Sequence, residues 1–465
     1  MSPRELVVTR SARRAVVALF ALGLAATIAS PVRAQNNNNN NNNNNLAYGN
    51  NVGGVFIGVD NVLRNSQLDR EGRLQAIRDV ALEPVPGDLQ HVSDLRKVSL
   101  RRLEEAIQGM VQGKQQLPEP ILFLAGLQQI RYVLVYPEQN DIVLAGPAEG
   151  WALNARGAVV GKTTGRPVLM LDDLLVSLRT AAGPTRNVIS CSIDPTQEGL
   201  KRLSAHARTL RTIGNPQATA MGIEQQLGPQ SISVNGIAET SHFARVMVAA
   251  DYRMKRVSMG LEPAPIRGLP SFLELMKAGG RGMSNMLPRW WLAPDYEPLL
   301  RDAEGLTWEL RGGTVKAMAE NDFLAADGTR RQGGKADPVS QRWADTMTQR
   351  YSELALADPV FGQLRNCMDL AVVSALIAKE SLAEKVNCEL PMLFSAGELP
   401  TVVLNAPKQV DSQASLVNKN HKWMIAAGGV SINPWAIVDK VEQDNQLAEV
   451  RTKVTAKEAK NWWWD

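Results

Sequence analysis

From about position 52 onward the apolar residues fall into short blocks with two spacings, and the spacing names the element. Gly53-Gly54-Val55-Phe56-Ile57-Gly58-Val59 is a short apolar run suited to a buried strand. Ser99 stands where an N-cap belongs, ahead of Leu100, Leu103, Ile107 and Met110 or Val111 at helical spacing, which predicts a helix to about Gly113. After Pro118-Glu119-Pro120, Ile121 to Leu127 suits a short helix. Ile130 to Tyr136 and Asp141 to Ala145 are β-rich arms around a polar turn at Pro137 to Asn140, the pattern of a hairpin. A second hairpin turns at Asn154-Ala155-Arg156-Gly157, between Trp151–Leu153 and Ala158–Val160.

The centre alternates strand and helix. Pro167 to Leu171 reads as a strand or an extended entry, and Asp172 or Asp173 starts a helix reaching Leu178. Val188 to Ile193 is a strand ending in Asp194-Pro195, an N-cap followed by proline at the first helical position; the helix it opens runs to about Ile213. Asn215-Pro216 repeats the device for a helix ending before Gly228, and Ser231 to Val234 is a strand. Ser241 caps a helix whose Phe243, Val246, Met247, Ala250 and Met254 form one stripe.

Pro263 to Pro270 and Ala278-Gly279-Gly280-Arg281-Gly282 read as boundary material. Leu306 to Leu310 and Thr314 to Met318 flank Arg311-Gly312-Gly313 as a third hairpin. A helical block covers Val339 to Ala357 and Pro359 to Lys385, with Phe361, Leu364, Met368, Ala371 or Val372 and Ala375 facing a core. Val402 to Asn405 and Met424 to Ile432 are late strands, and Asp439 to Lys460 is mostly charged, with a thin stripe of Leu447, Val450 and Val454. Gly428-Gly429-Val430-Ser431-Ile432 echoes Gly53 to Ile57, either by chance or because the two pair in one sheet. The pattern is that of an α+β protein of mixed hairpins and helices in two or three packed domains. The expected divisions are 52–170, 171–285 and 286–438, with a charged helical tail at 439–465.

The first 34 residues change the setting. Arg4, Arg10, Arg13 and Arg14 precede an uncharged run from Ala15 to Ala29, and Val32 and Ala34 put short side chains where a signal peptidase cuts, which predicts cleavage between Ala34 and Gln35. The run falls short of the roughly 20 apolar residues of a spanning helix. No second long apolar stretch follows, so no transmembrane span is expected after the leader. Residues 35–51 hold ten consecutive asparagines and read as a disordered linker, or alternatively as an adhesive segment. The expected location is the periplasm or cell envelope, or outside the cell.

The formal net charge of +4 lies wholly in residues 1–34, so the remainder is neutral. A neutral body offers no global field for nucleic acid.

The three cysteines exclude a disulfide scaffold. Cys191 shares a strand face with Ile189 and Ile193, as a small buried hydrophobe or as a nucleophile near His206 or His242. Cys367 and Cys388 could bridge only if the helix between them breaks, since a continuous one holds them about 30 Å apart.

Gly157 to Thr163, followed by Asp172-Asp173, imitates a phosphate loop, yet its glycines are separated by three residues instead of four, and Gly165 and Pro167 forbid the helix that must follow. His91, His206, His242 and His421 show no metal-ligand spacing, and no cofactor is expected. Glu104-Glu105 and Asp172-Asp173 are candidate carboxylates for a glycosidase pair, or ordinary helix starts.

Trp462-Trp463-Trp464 is a candidate membrane anchor or partner contact, or a tail packed on its own body. Arg253, Lys255 and Arg256 read as a solvated basic helix end.

Residues 123–151, 165–179, 190–200, 251–262 and 361–377, with both Gly-Gly-Val entries, resemble exported planctomycete-type bacterial proteins built around a domain of unknown function. That resemblance implies no reaction and no site residues. The functional expectation is a non-catalytic binding or structural component of the cell envelope, whose partner is an envelope protein or polymer. The alternative is a hydrolase of envelope polymers using distant acids or Cys191.

Overall fold

The computed structural model describes residues 51–52, 55–57, 60–65, 82–209, 215–279, 286–312, 314–324, 330–332, 337–417, 422–453 and 463–464. The leader with its Ala34–Gln35 cleavage point, the asparagine tract, residues 280–282, His421 and Trp462 lie outside them.

Helices and two large sheets are interleaved, as an α+β chain requires. The larger, twelve-stranded sheet runs in the order Asn51–Val52, Val55–Ile57, Val62–Asn65, Gln409–Val410, Gln230–Asn235, Ile189–Pro195, Ala427–Ile432, Met286–Asp295, Thr314–Leu324 and Arg330–Gln332. Ser415–Val417 and Lys422–Met424 attach at its side. The six-stranded sheet runs Val441–Gln443, Leu299–Arg301, Thr307–Glu309, Tyr132–Tyr136, Asp141–Ala148 and Ser93–Ser99.

Both sheets mix strands from across the chain, so divisions at residues 170 and 285 do not separate them. The Gly-Gly-Val entries lead into one sheet but are not neighbours: three short strands and the Cys191 strand stand between Val55–Ile57 and Ala427–Ile432.

The locally encoded elements form as their spacing predicts. The Tyr132–Tyr136 and Asp141–Ala148 arms pair antiparallel around Asn140, whose φ of 51° closes the turn. Trp151–Leu153 and Val159–Gly161 make the second hairpin. Ser99, Asn215 and Ser241 each accept backbone N–H groups from the first turn of the helix they cap.

The third expected hairpin does not form. Thr307–Glu309 pairs with Tyr132–Tyr136, whereas Thr314–Leu324 pairs with Met286–Asp295, so the chain changes sheets at Arg311-Gly312. Gly312 makes this crossing at φ 78°, where a Cβ would sit 3.1 Å from the Glu297 nitrogen. Residues 402–405 are not a strand either; the segment is held by Leu404 N–H to the Thr240 carbonyl at 2.8 Å. The helix after Asp194-Pro195 spans Gln197–Thr209.

The helix Pro359–Lys379 is the rod between the two cores. Phe361, Leu364, Cys367 and Met368 pack with the larger sheet, and Leu370, Val373, Leu376 and Ile377 pack with the smaller. Apolar residues all round its surface follow from burial on every side. It is the one described helix long and apolar enough to cross a membrane, and 89% of its apolar window is buried inside the protein.

Candidate functional site

The helix His242–Ser258 lies against Ile189–Pro195 and Ala427–Ile432 on one side and Pro359–Lys379 on the other. Its predicted stripe of Phe243, Val246, Met247, Ala250 and Met254 is buried, and so is nearly all of the rest. It therefore carries His242, Arg245, Asp251, Arg253 and Lys255 into the interior, where each needs a partner to offset lost hydration.

At its start, Ser241 Oγ accepts the Ala244 N–H at 3.1 Å, and the next side chain, His242, points at the first turn of helix Leu171–Ala181. His242 Nδ1 lies 2.9 Å from Asp173 Oδ2 and 3.0 Å from Oδ1. Burial alone would lower the His242 pKa; the Asp173 charge and hydrogen bond, helped by Asp172, reverse the sign and raise it. Burial, followed by the Asp173 charge, raises the Asp172 carboxyl to about 6. Cys367 Sγ lies 3.8 Å from Asp173 Oδ2, and burial followed by that carboxylate pushes its thiol far up. Arg245 donates to the Asn405 carbonyl at 3.1 Å, with burial drawing it down to about 10.

The other half of the helix corrects the expectation of a solvated basic end. Arg253 and Lys255 are buried and Arg256 partly so. Arg253 Nη2 and Arg156 Nη1 both bond Asp358 Oδ2 at 2.7 Å, and Arg253 Nη1 bonds Glu262 Oε2 at 2.7 Å. Asp358 is fully buried and also caps helix Pro359–Lys379, so one carboxylate ties three segments together. Arg256 bonds Glu262 and the Gln413 side-chain oxygen. Lys255 Nζ donates to Asp251 Oδ2 and the Ile193 carbonyl, each at 2.8 Å, and to the Gly428 carbonyl at 3.1 Å. The cations are compensated internally, which a helix-dipole argument cannot foresee.

The remaining candidates are dispersed. Cys191 occupies the predicted strand face and is buried. The charged groups around it are Asp251, Lys255 and Asp194 rather than a histidine, and burial pushes its thiol upward. Cys367 and Cys388 are both free, so the bridge is absent. The helix continues unbroken from Cys367 to Lys379, about 18 Å of rise before the chain can turn back.

Glu104 is buried and accepts the Met392 and Leu393 N–H groups, whereas exposed Glu105 pairs with Arg101, so this acid pair does not converge. The false phosphate loop is a hairpin arm whose turn closes on Glu149. That carboxylate accepts from Thr163 and Thr164 N–H, the Thr164 hydroxyl and the Gln128 amide. Burial opposes ionisation of Glu149, but those donors hold it near 2.

Trp463 is buried in the core of the smaller sheet, its carbonyl accepting the Ser99 N–H at 2.8 Å, and Trp464 bridges to Val98. No group of three metal-ligating side chains occurs among the described residues. A small solvent-open pocket, with room for about one water, is lined by Lys255, Ile193, Gln230, Tyr252, Gln413 and Ala426 among others.

The central helix itself falls wholly within one matched stretch. A family model described as a protein of unknown function (DUF1598) matches residues 191–272. The chain carries a domain of unknown function. That stretch runs from Cys191 through the whole of His242–Ser258 to Phe272, while Asp173, Asp358, Asn405, Gln413 and Gly428, which partner it, come from outside. No curated protein and no solved structure matches the chain.

The pattern reading missed the His242–Asp173 pair, Asp358 and Asp369. Asp369 accepts the Tyr296 hydroxyl and the Ile130 N–H, and burial raises it to about 6. The available signal was a Ser or Asp at each helix start, which locates a cap but not what the next side chain meets.

Proposed function

We propose that this is an exported, non-catalytic binding or structural protein of the cell envelope, with an envelope protein or polymer as its partner. The leader-like pattern of residues 1–34 supports the address. One observation carries the rest: the helix at the heart of the matched domain spends His242, Arg245, Asp251, Arg253 and Lys255 on internal partners. Charges used this way fix elements against one another rather than meet a substrate. The test is N-terminal sequencing of the chain from fractionated cells, followed by crosslinking in intact cells. Recovery from the envelope starting at Gln35, in a defined adduct with envelope protein or polymer, is the expected result. An unprocessed cytoplasmic chain overturns the reading.

A hydrolase of envelope polymers is the second reading, favoured by the convergence of Asp172, Asp173 and His242. A carboxylate on Nδ1 fixes the tautomer and leaves Nε2 as the basic edge, as a general base requires. Burial of Cys191 and Cys367 disfavours either as the nucleophile. Purified polymer incubated with the native protein and with His242→Gln separates the readings. Hydrolysis by the native protein alone, with both proteins equally folded, favours the enzyme; hydrolysis by neither removes it.

A further inference from the structure

Asp251 and Lys255 stand one turn apart on the same helix, the spacing at which side chains meet. Their side chains are 0% and 7% exposed, and Nζ lies 2.8 Å from Oδ2. Two of the Nζ hydrogens are taken by the Ile193 and Gly428 carbonyls, which leaves the fourth tetrahedral position of nitrogen directed at the Asp251 carboxyl. Asp251 Oδ1 is buried and makes no hydrogen bond of ordinary length; the Ile193 N–H nearby lends the carboxylate only a minor pull toward its ionised form. The arrangement is thus a desolvated amine aimed at a carboxyl with one oxygen only weakly held.

We propose that Lys255 and Asp251 condense to an amide, a covalent staple across one turn of the central helix. Proton transfer within the pair gives a neutral amine and a carboxylic acid. The Nζ lone pair attacks Cγ, a C–N bond forms, and one C–O bond of the carboxyl breaks. The departing hydroxyl leaves with a proton from Nζ as water, the other oxygen stays as the amide carbonyl, and no oxidant or reductant is needed. The remaining amide N–H keeps one of its two carbonyl acceptors. Both reactants are held in place, the condition under which effective molarity is high. The product removes two charges from an apolar interior, where ion pairs are costly to keep. Burial raises the Asp251 carboxyl to about 6, against the opposing pull of Lys255, which favours the acid form the condensation needs. Lys255 also lines a small solvent-open pocket, so the nitrogen side of the pair borders space that can take up a water.

The test is a tryptic map of the full-length protein, denatured before digestion. The amide blocks cleavage after Lys255 and joins the peptide of residues 246–253 to that of residues 254–256, in a branched species one water lighter than the two together. Its presence in the native chain and absence in Lys255→Arg is the expected result. Complete cleavage after Lys255 with no branched species overturns the proposal. So does a chain lighter by one water whose loss maps elsewhere, such as a succinimide. The native chain decides alone, so the outcome stands even if the variant folds poorly.

Discussion

His242 Nδ1 lies 2.9 Å from Asp173 Oδ2, joining the first turns of two helices that are 69 positions apart in sequence. Both side chains are almost out of solvent, at 11% and 6% exposure, so neither recovers hydration if the other is removed. Asp173→Ala is therefore expected to cost about 1–3 kcal/mol, the range for stranding a buried polar group. It is also expected to lower the His242 pKa, because burial alone acts downward. Urea unfolding near pH 6 and an NMR titration of the imidazole check the two effects. A loss below about 0.5 kcal/mol, the level of an ordinary surface change, would show that the pair is not holding the helices.

Stability should fall as pH rises above about 4. Asp172 and Asp369 have folded values raised to about 6 from 3.8, by burial first in each case, so the folded state binds their protons more tightly. Their contribution is complete below the unfolded value and is lost between about 4 and 6. His242, also raised, adds a loss above its ordinary value of 6.5 as pH passes its folded pKa. Glu149, held near 2 by its four donors, acts oppositely: its contribution is present above 4.5 and disappears as the solution is acidified below that. The expected urea midpoint is highest around pH 4–5 and lower at pH 8. A midpoint that climbs steadily from pH 5 to 8 would contradict the assignment of these buried acids.

What could be read from the sequence was whatever is decided within one element. The Tyr132 hairpin needed only a period of two and a Pro-Asn turn, and the Ser241 helix needed a cap and a stripe. What could not be read was which surfaces meet. Arg253 and Asp358 are 105 positions apart, and nothing in Asp251 to Arg256 distinguishes a buried cation from a solvated one. The Arg311-Gly312-Gly313 turn looked like a hairpin because its flanks are β-rich, but strand partners belong to tertiary packing. The cysteine bridge failed for a local reason: helix Pro359–Lys379 is apolar enough to continue without a break.

Gly428 is expected to tolerate no side chain. Its φ is 123°, and a Cβ would sit 1.8 Å from the carbonyl oxygen of Trp290 on the neighbouring parallel strand. Backbone cannot yield there as a flexible side chain would. Gly428→Ala should lose more than about 4 kcal/mol, in the tail of point-mutant effects, or yield no soluble folded chain. Gly109→Ala is the control: its Cβ meets nothing within 4 Å inside helix Leu100–Gln112, and a gain of about 0.5–1 kcal/mol is expected. Equal behaviour of the two variants in denaturant would show that the Gly428 strand is not seated against Trp290.

Trp463 separates a tail that anchors from a tail that packs. The residue is 6% exposed and belongs to the same core as Val98, Leu100 and Trp151, while its backbone carbonyl takes the Ser99 N–H. Ser99 also caps the following helix, so tail and cap share one residue. Trp463→Ala is expected to cost about 3–5 kcal/mol, as for truncation of a core aromatic. Thermal unfolding followed by tryptophan fluorescence measures it. If the segment instead served chiefly as a membrane or partner contact, the variant would unfold at the native temperature and change its fractionation between membrane and soluble pools. The packed tail predicts the reverse, a lower midpoint with unchanged fractionation. A side chain already seated in its own core has little surface left to offer a bilayer.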